Sequence, residues 1–174
     1  MTKKADFPYI CCNLERDDKL VLEPYKILDV EGKKIAFIGA IRPMSFSVEE
    51  DELKYKITGR DKIDNLYNAI QSNVDEVKDN GADSVILLGH IGINQDIPYK
   101  VLANTSGIDV LFDGHSHDEE VHTLKNKDNV DVTRIAVGKD MNGIGYLFIN
   151  SDGTIKDMGA WYWNDGSGFP VFED

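Results

Sequence analysis

Three histidines follow two short apolar segments of the chain. His90 comes directly after the run DSVILLG, and His115 and His117 come just after the run DVLFD. In open α/β sheets ligands bind at the carboxyl ends of the strands, so these side chains occupy the expected place for a site. Gly89 and Gly114 precede the first two histidines and permit sharp backbone turns there. Because neutral imidazoles are natural ligands for zinc, manganese or iron, the spacing predicts a shared metal site.

A plainer interpretation competes with this one. Taken singly, a histidine after a strand is more often a loop or core residue, and a motif match alone is weak. Metal binding is favoured because two such strands would be neighbours in one parallel sheet, with their carboxyl ends side by side. His122 lies outside the pattern, in a polar stretch, and is interpreted as a surface residue. The acidic runs at 15–18, 49–52 and 118–120 lack the spacing of a calcium loop and are interpreted as solvated surface.

Alternating helix and strand patterns lead up to these histidines. Apolar residues recur every three or four positions from Asp61 until Asn80-Gly81, which predicts an amphipathic helix. The apolar run at 83–89 predicts a strand buried on both faces. A weaker helical period at 97–105 and an apolar run at 109–113 then predict a second crossover to a parallel strand.

The flanking segments predict antiparallel pairs. Two β-rich runs at 25–30 and 34–41 are separated by Glu31-Gly32-Lys33, which predicts a hairpin with Gly32 at positive φ. Strands are also predicted at 7–14, 134–137, 145–149 and 154–163, with a turn at 151–153, a loop at 15–24 and a long excursion at 43–59. The fold class predicted is α/β with mixed sheets and flanking helices.

Composition limits the classes of protein and partner. The 174 residues suffice for one compact domain, 1–174, and 41% are hydrophobic. With a net charge of −12, the chain would repel nucleic acids and anionic membranes, so we expect neither as a partner. No apolar run has the length of a transmembrane helix or an export signal. Cys11 and Cys12 are adjacent and therefore do not form a disulfide framework.

The order of five segments carries a family resemblance. Along the chain follow FPYICCNL, PYKILDVEGKKIAFIGAIRP, NGADSVILLGHIG, GIDVLFDGHSH and RIAVGKDMNGIGYLFI. In this order they resemble the second half of the metallophosphoesterase domain of the 5′-nucleotidase and UDP-sugar hydrolase family, over the chain up to about Ile155. The resemblance implies a partial calcineurin-like metallophosphoesterase sandwich, with mixed β-sheets and flanking helices, that lacks its N-terminal half.

The same resemblance implies metal-dependent hydrolysis of nucleotides or other small phosphoesters. In the family two divalent metals, drawn from zinc, manganese, iron, nickel and cobalt, polarise the phosphate and activate a water. By matching position His90 and His115 would bind one metal and His117 the other, while Asp113 would hold a ligand imidazole in place. Asn94 and Lys139 fall in loops that border the cleft in family members.

Several family features are missing from this sequence. Three family motifs would supply the bridging carboxylate and the catalytic histidine, and they are expected upstream of Phe7: Asp-x-His, Gly-Asp and Gly-Asn-His-Glu. The C-terminal nucleotide-recognition domain of the family is also absent from this sequence. Two dications without a bridging carboxylate repel one another, so we expect one metal at most and little or no activity from the isolated chain.

An unpaired sheet edge predicts a partner, either a second copy of the chain or a complementing N-terminal half. Two alternatives stay open: a module that binds a metal or a phosphate-bearing ligand, and a folded remnant without activity. Family members are usually periplasmic, cell-surface or secreted, and the sequence leaves the compartment open.

Overall fold

A computed structural model describes residues 4–44, 55–92 and 96–163. These residues form two helices, α1 at Asp64–Asp79 and α2 at Asp96–Asn104, and eleven strands. The strands are β1 Leu14–Arg16, β2 Lys19–Leu20, β3 Tyr25–Val30, β4 Lys33–Ile41, β5 Tyr55–Ile57, β6 Ser84–His90, β7 Val110–Asp113, β8 Glu119–Lys125, β9 Asp131–Val137, β10 Gly143–Ile149 and β11 Ile155–Tyr162.

A six-stranded mixed sheet forms the centre of the described structure. Its strand order is β3-β4-β6-β7-β9-β8. The inner strands β4, β6, β7 and β9 are parallel, and β3 and β8 pair antiparallel at the two edges. Two smaller sheets, β2-β1-β5 and β10-β11, accompany it. The predicted α/β class with mixed sheets and flanking helices is therefore confirmed.

The helix α1 covers one face of the central sheet. Its apolar residues recur at helical spacing, and Leu66, Ile70, Val74 and Val77 are all buried. They pack with side chains of β4, β6 and β7 in the main hydrophobic core. The helix ends where its period ends, because Gly81 adopts φ +82° just after Asn80.

The opposite face is partly covered by the hairpin β10-β11. Ile86, Val110 and Ile135 form a smaller core there, against which Leu147 and Met158 pack. The two predicted turns are confirmed. Gly32 has φ +82° between β3 and β4, and Gly153 has φ +91° between β10 and β11. Both positions favour glycine because the left-handed region penalises a Cβ atom.

The predicted strand at 7–14 is wrong, and so is the loop at 15–24. Ile10 makes only an isolated bridge to Glu23, and a strand begins only at Leu14. Residues 14–20 instead form the hairpin β1-β2, whose turn places Asp17 and Asp18 at positive φ. An acidic turn with no glycine gave no hairpin signal, because aspartate enters the left-handed region less readily than glycine.

Two more strands were missed. The acidic run at 118–120 is more than solvated surface, since Glu119 and Glu120 begin the edge strand β8, which pairs along its whole length with β9. Within the predicted excursion at 43–59, residues 55–57 form β5, and residues 45–54 lie outside the described part. No helix in the described ranges is long and apolar enough to cross a membrane. Cys11 and Cys12 are both free, and the structure buries both of them.

Candidate metal-binding site

The parallel pairing of β6 and β7 brings the histidine-bearing segments together. Gly89 lies opposite Asp113 in the register, and the Gly114 amide donates to the Gly89 carbonyl over 3.0 Å. After β7 the chain turns sharply, with His115 at φ +79° and His117 at φ +59°. Non-glycine residues in this region carry a conformational cost of about 1 kcal/mol or more, and such residues cluster at functional sites.

His90 and His115 contact one another directly. The Nδ1 atom of His115 lies 2.9 Å from Nε2 of His90, and the ring centroids are 4.8 Å apart with the rings edge-on. On the other side of the His115 ring, Nη1 of Arg42 lies 2.8 Å from Nε2. A guanidinium group only donates, so Nε2 of His115 accepts and its Nδ1 carries the proton that is donated to His90.

The surroundings of His115 favour its neutral form. Partial burial of the ring lowers the pKa of His115, and the nearby His90 and Arg42 lower it further. A neutral imidazole is the form that binds a metal ion. His115 can therefore bind a metal ion without first having to lose a cationic proton.

Asp113 contacts the backbone of the neighbouring strand end. Its Oδ1 atom accepts hydrogen bonds from the amides of Ile91 and Gly92 at 3.1 and 3.0 Å. Its Oδ2 atom accepts from Nε and Nη2 of Arg134 at 2.9 and 2.8 Å. Asp113 thus ties the end of β7 to the turn after β6, and its contact with a metal-bound imidazole stays a prediction.

Arg134 on β9 organises the loop that carries His115 and His117. Its side chain is 0% exposed and also pairs with Asp118 at 3.0 Å and Glu120 at 2.5 Å. Burial opposes the guanidinium charge, but the carboxylates of Asp113 and Asp118 outweigh it and raise the pKa of Arg134. Nη2 also donates to Oγ of Ser116, 3.1 Å away. One buried cation thereby connects β7, the histidine loop and β8.

The remaining predicted residues that the structure describes are exposed. His117 is exposed and makes no hydrogen bond within the described ranges, although its charge acts on His115. Lys139 is exposed beside Asp140, at 3.8 Å, and Asn94 falls outside the described residues. His122 is exposed with its ring 5.2 Å from that of Tyr99, which confirms it as a surface residue.

A cleft of about 290 Å³ adjoins His90. Ile41 and Leu88 contribute apolar surface to it, and Gly39 and Phe112 line it further. Leu88 is 40% exposed although it lies on a central strand. His90 therefore lies at the rim of an apolar depression on the uncovered part of the sheet, which is the type of place where small ligands bind.

The nitrogen atoms of His90 and His115 supply part of the ligands that a metal ion needs. Metal–nitrogen bonds of about 2.0–2.1 Å can reach one ion from two nitrogens 2.9 Å apart, so His90 Nε2 and His115 Nδ1 can share it. In the described part of the chain, no three histidine, cysteine or carboxylate side chains are gathered as a ready metal group. The structure brings together two of the three predicted histidines.

Sequence reasoning missed two arginines that matter here. Arg42 directly follows β4, so the rule that singled out His90 would have found it too. Arg134 lies within a strand whose other central residues are buried and mostly apolar, and a buried charge of this kind requires partners. Asp118 and Glu120 then become candidates, since only acidic residues can neutralise it.

The known proteins with similar sequences include nucleotide phosphoesterases. A 2′,3′-cyclic-nucleotide 2′-phosphodiesterase/3′-nucleotidase of Salmonella typhimurium is 27% identical over 160 residues, covering 80% of this chain and 23% of that protein. The protein of that name from Haemophilus influenzae is 27% identical over 198 residues, covering 98% and 29%. The chain thus spans about a quarter of the length of these curated relatives.

The structural comparison agrees. The crystal structure of a 5′-nucleotidase precursor from Thermus thermophilus superposes with a TM-score of 0.71 and 20% identity, covering 92% of this chain and 34% of that one. This likeness shows that the fold is shared. No family model matches the sequence. The resemblance inferred from the motifs is nonetheless confirmed, because the homologues of this chain are members of the 5′-nucleotidase family.

Proposed function

We propose that this chain forms the histidine-bearing part of a metal-dependent nucleotide phosphohydrolase, in which His90 and His115 bind one divalent metal. The observation that carries the proposal is the 2.9 Å approach of His90 Nε2 to His115 Nδ1 at the carboxyl edge of the sheet. The relation to nucleotide phosphoesterases supports it independently.

When bound, the metal would polarise a phosphoryl oxygen and lower the pKa of a coordinated water. The residues of this chain would hold and orient it. His90 and His115 are the ligands, and the hydrogen bonds of Asp113 to the amides after β6 keep the two strand ends in register. His117 is proposed as a ligand of a second metal. Because His117 is exposed, a metal bound there would remain accessible to solvent and to additional ligands.

We also propose that the isolated chain hydrolyses phosphoesters weakly or not at all. Two dications need a bridging carboxylate to offset their repulsion, and in the described ranges no carboxylate joins the histidine pair in a ready metal group. A second copy of the chain or a complementing N-terminal half would supply the missing groups. This partner accounts for the uncovered apolar surface around Leu88.

The test is phosphate release from 5′-nucleotides, 3′-nucleotides, 2′,3′-cyclic nucleotides and a UDP-sugar, with added manganese or zinc. The expected result is manganese binding with little turnover. Turnover that disappears in His115→Ala but persists in His122→Ala would show that the site is complete and would overturn the expected inactivity. If the protein binds no metal and releases no phosphate, the chain is a folded remnant and the proposed function is wrong.

A further inference from the structure

Arg42 makes a contact that metal binding at this pair would disrupt. It donates from Nη1 to Nε2 of His115 across 2.8 Å, and this bond requires an unprotonated Nε2. A neutral imidazole has a single N–H, so the proton then resides on Nδ1. Nδ1 is the atom that faces His90. In the structure, therefore, the tautomer of His115 is set by Arg42 on one side and by His90 on the other.

A metal held between His90 Nε2 and His115 Nδ1 requires the opposite tautomer. Nδ1 must offer a lone pair to the ion, so the proton has to move to Nε2. The N–H of Nε2 and the N–H of Arg42 would then face each other as two donors, which leaves both without an acceptor. Metal binding must consequently displace the guanidinium from His115.

The displaced guanidinium remains next to the metal position because its backbone is fixed. The Arg42 amide donates to the His90 carbonyl over 3.0 Å, so the residue stays attached to the end of β6. A guanidinium close to a dication is stable only if an anion lies between them. A tetrahedral oxyanion can bind the metal through one oxygen and accept hydrogen bonds from the guanidinium through others, and arginine suits this geometry.

We propose that Arg42 is released from His115 by metal binding and then binds the phosphoryl group of the substrate. This inference rests on the proposed function, since it needs the metal at His90 and His115. It assigns Arg42 two successive partners, an imidazole in the metal-free protein and a phosphate oxygen in the loaded one. The inference depends on an arginine placed directly after β4.

The test measures two affinities by calorimetry in the full chain, first for Mn²⁺ and then for inorganic phosphate in the Mn²⁺-loaded protein. Arg42→Gln should bind Mn²⁺ about two- to tenfold more tightly, because no hydrogen bond competes for His115. Its affinity for phosphate should fall about 10- to 100-fold, the range of a charge-assisted hydrogen bond. Arg42→Lys should retain part of the phosphate affinity, since it keeps the charge without the planar fork.

Lys78→Gln is the matched control. It removes one positive charge at the end of α1, beside Gly107 and the amino end of β7, which is the opposite edge of the sheet. Both affinities should equal those of the wild type. Far-UV circular dichroism checks that each variant is folded.

Nuclear magnetic resonance of ¹⁵N-labelled histidine gives a second measurement. The proton of His115 should be on Nδ1 in the metal-free protein and on Nε2 after zinc is added. An unchanged phosphate affinity in Mn²⁺-loaded Arg42→Gln would overturn the role of Arg42, as would a Mn²⁺-loaded wild type that binds no phosphate. Neither of those results affects the metal site, whereas a wild type that binds no Mn²⁺ refutes the proposed function itself.

Discussion

Replacing Arg134 by methionine should destabilise the protein more than any exposed ion-pair substitution. The Arg134 side chain and the carboxylate of Asp113 are both 0% exposed. Methionine fills similar space without charge, so the variant would leave Asp113 buried with only the Ile91 and Gly92 amides as donors. Asp118 and Glu120 are 22% and 23% exposed and can recover some solvation.

The magnitude follows from that burial. Removing one partner of a fully buried ion pair costs about 3–5 kcal/mol, because an uncompensated charge remains. A domain of this kind has a free energy of unfolding of about 5–15 kcal/mol, so the variant should still fold at low temperature. Urea denaturation followed by far-UV circular dichroism measures the loss as a lower midpoint with an unchanged slope.

Two further variants locate the cause. In Arg134→Met/Asp113→Asn the buried carboxylate is gone, so at least about 1 kcal/mol should be regained relative to the single variant. Lys125→Met breaks the pair with Asp131, whose side chains are 54% and 65% exposed, and should cost less than about 1 kcal/mol. The reasoning is refuted if Arg134→Met costs no more than Lys125→Met.

Two other predictions concern packing and protonation. In Gly92→Ala the added methyl would lie 2.5 Å from the Gly114 carbonyl oxygen, so the free energy of unfolding should fall by about 1–3 kcal/mol, measured by thermal melts. The loss should be smaller in Gly114→Ala, because the nearest atom to that methyl, Nδ1 of His90, is 3.4 Å away. Burial raises the pKa of Cys12 from 9.0 to about 12, so the native thiol should react slowly with a disulfide reagent at pH 8, and rapid labelling without urea would contradict this. Because the unfolded chain loses that thiol proton first, the stability should fall as the pH rises above about 9.

The parts of the fold that sequence predicted are those where local signals and packing agree. The hairpin β3-β4 has a glycine at the turn, and α1 has a clear apolar period, so the ends of both were predicted to within about three residues. The strand β8 was missed because its residues alternate among acidic, polar and apolar types at an exposed edge. Its identity as a strand comes from pairing with β9, which no local pattern in 119–125 reveals.

The candidate site shows the same division. Position after a strand predicted that His90 and His115 lie together, and the parallel register does bring these strand ends side by side. The same rule groups His117 with them, and its role as a ligand stays a prediction, since its side chain is exposed and makes no hydrogen bond within the described ranges. The ion pairs of Arg134 with Asp118 and Glu120 depend on pairing between strands and on burial. Neither can be read from the spacing of residues in the sequence.

The most direct test of the account is the binding of Mn²⁺ to the purified chain, measured by calorimetry for the wild type and for His90→Ala, His115→Ala and His122→Ala. His122 is an exposed histidine on β8 and serves as the matched control. The account predicts one site that is lost in the first two variants and retained in the third. Wild-type binding that survives both His90→Ala and His115→Ala, or no binding at all, would contradict the assignment of this pair as a metal site.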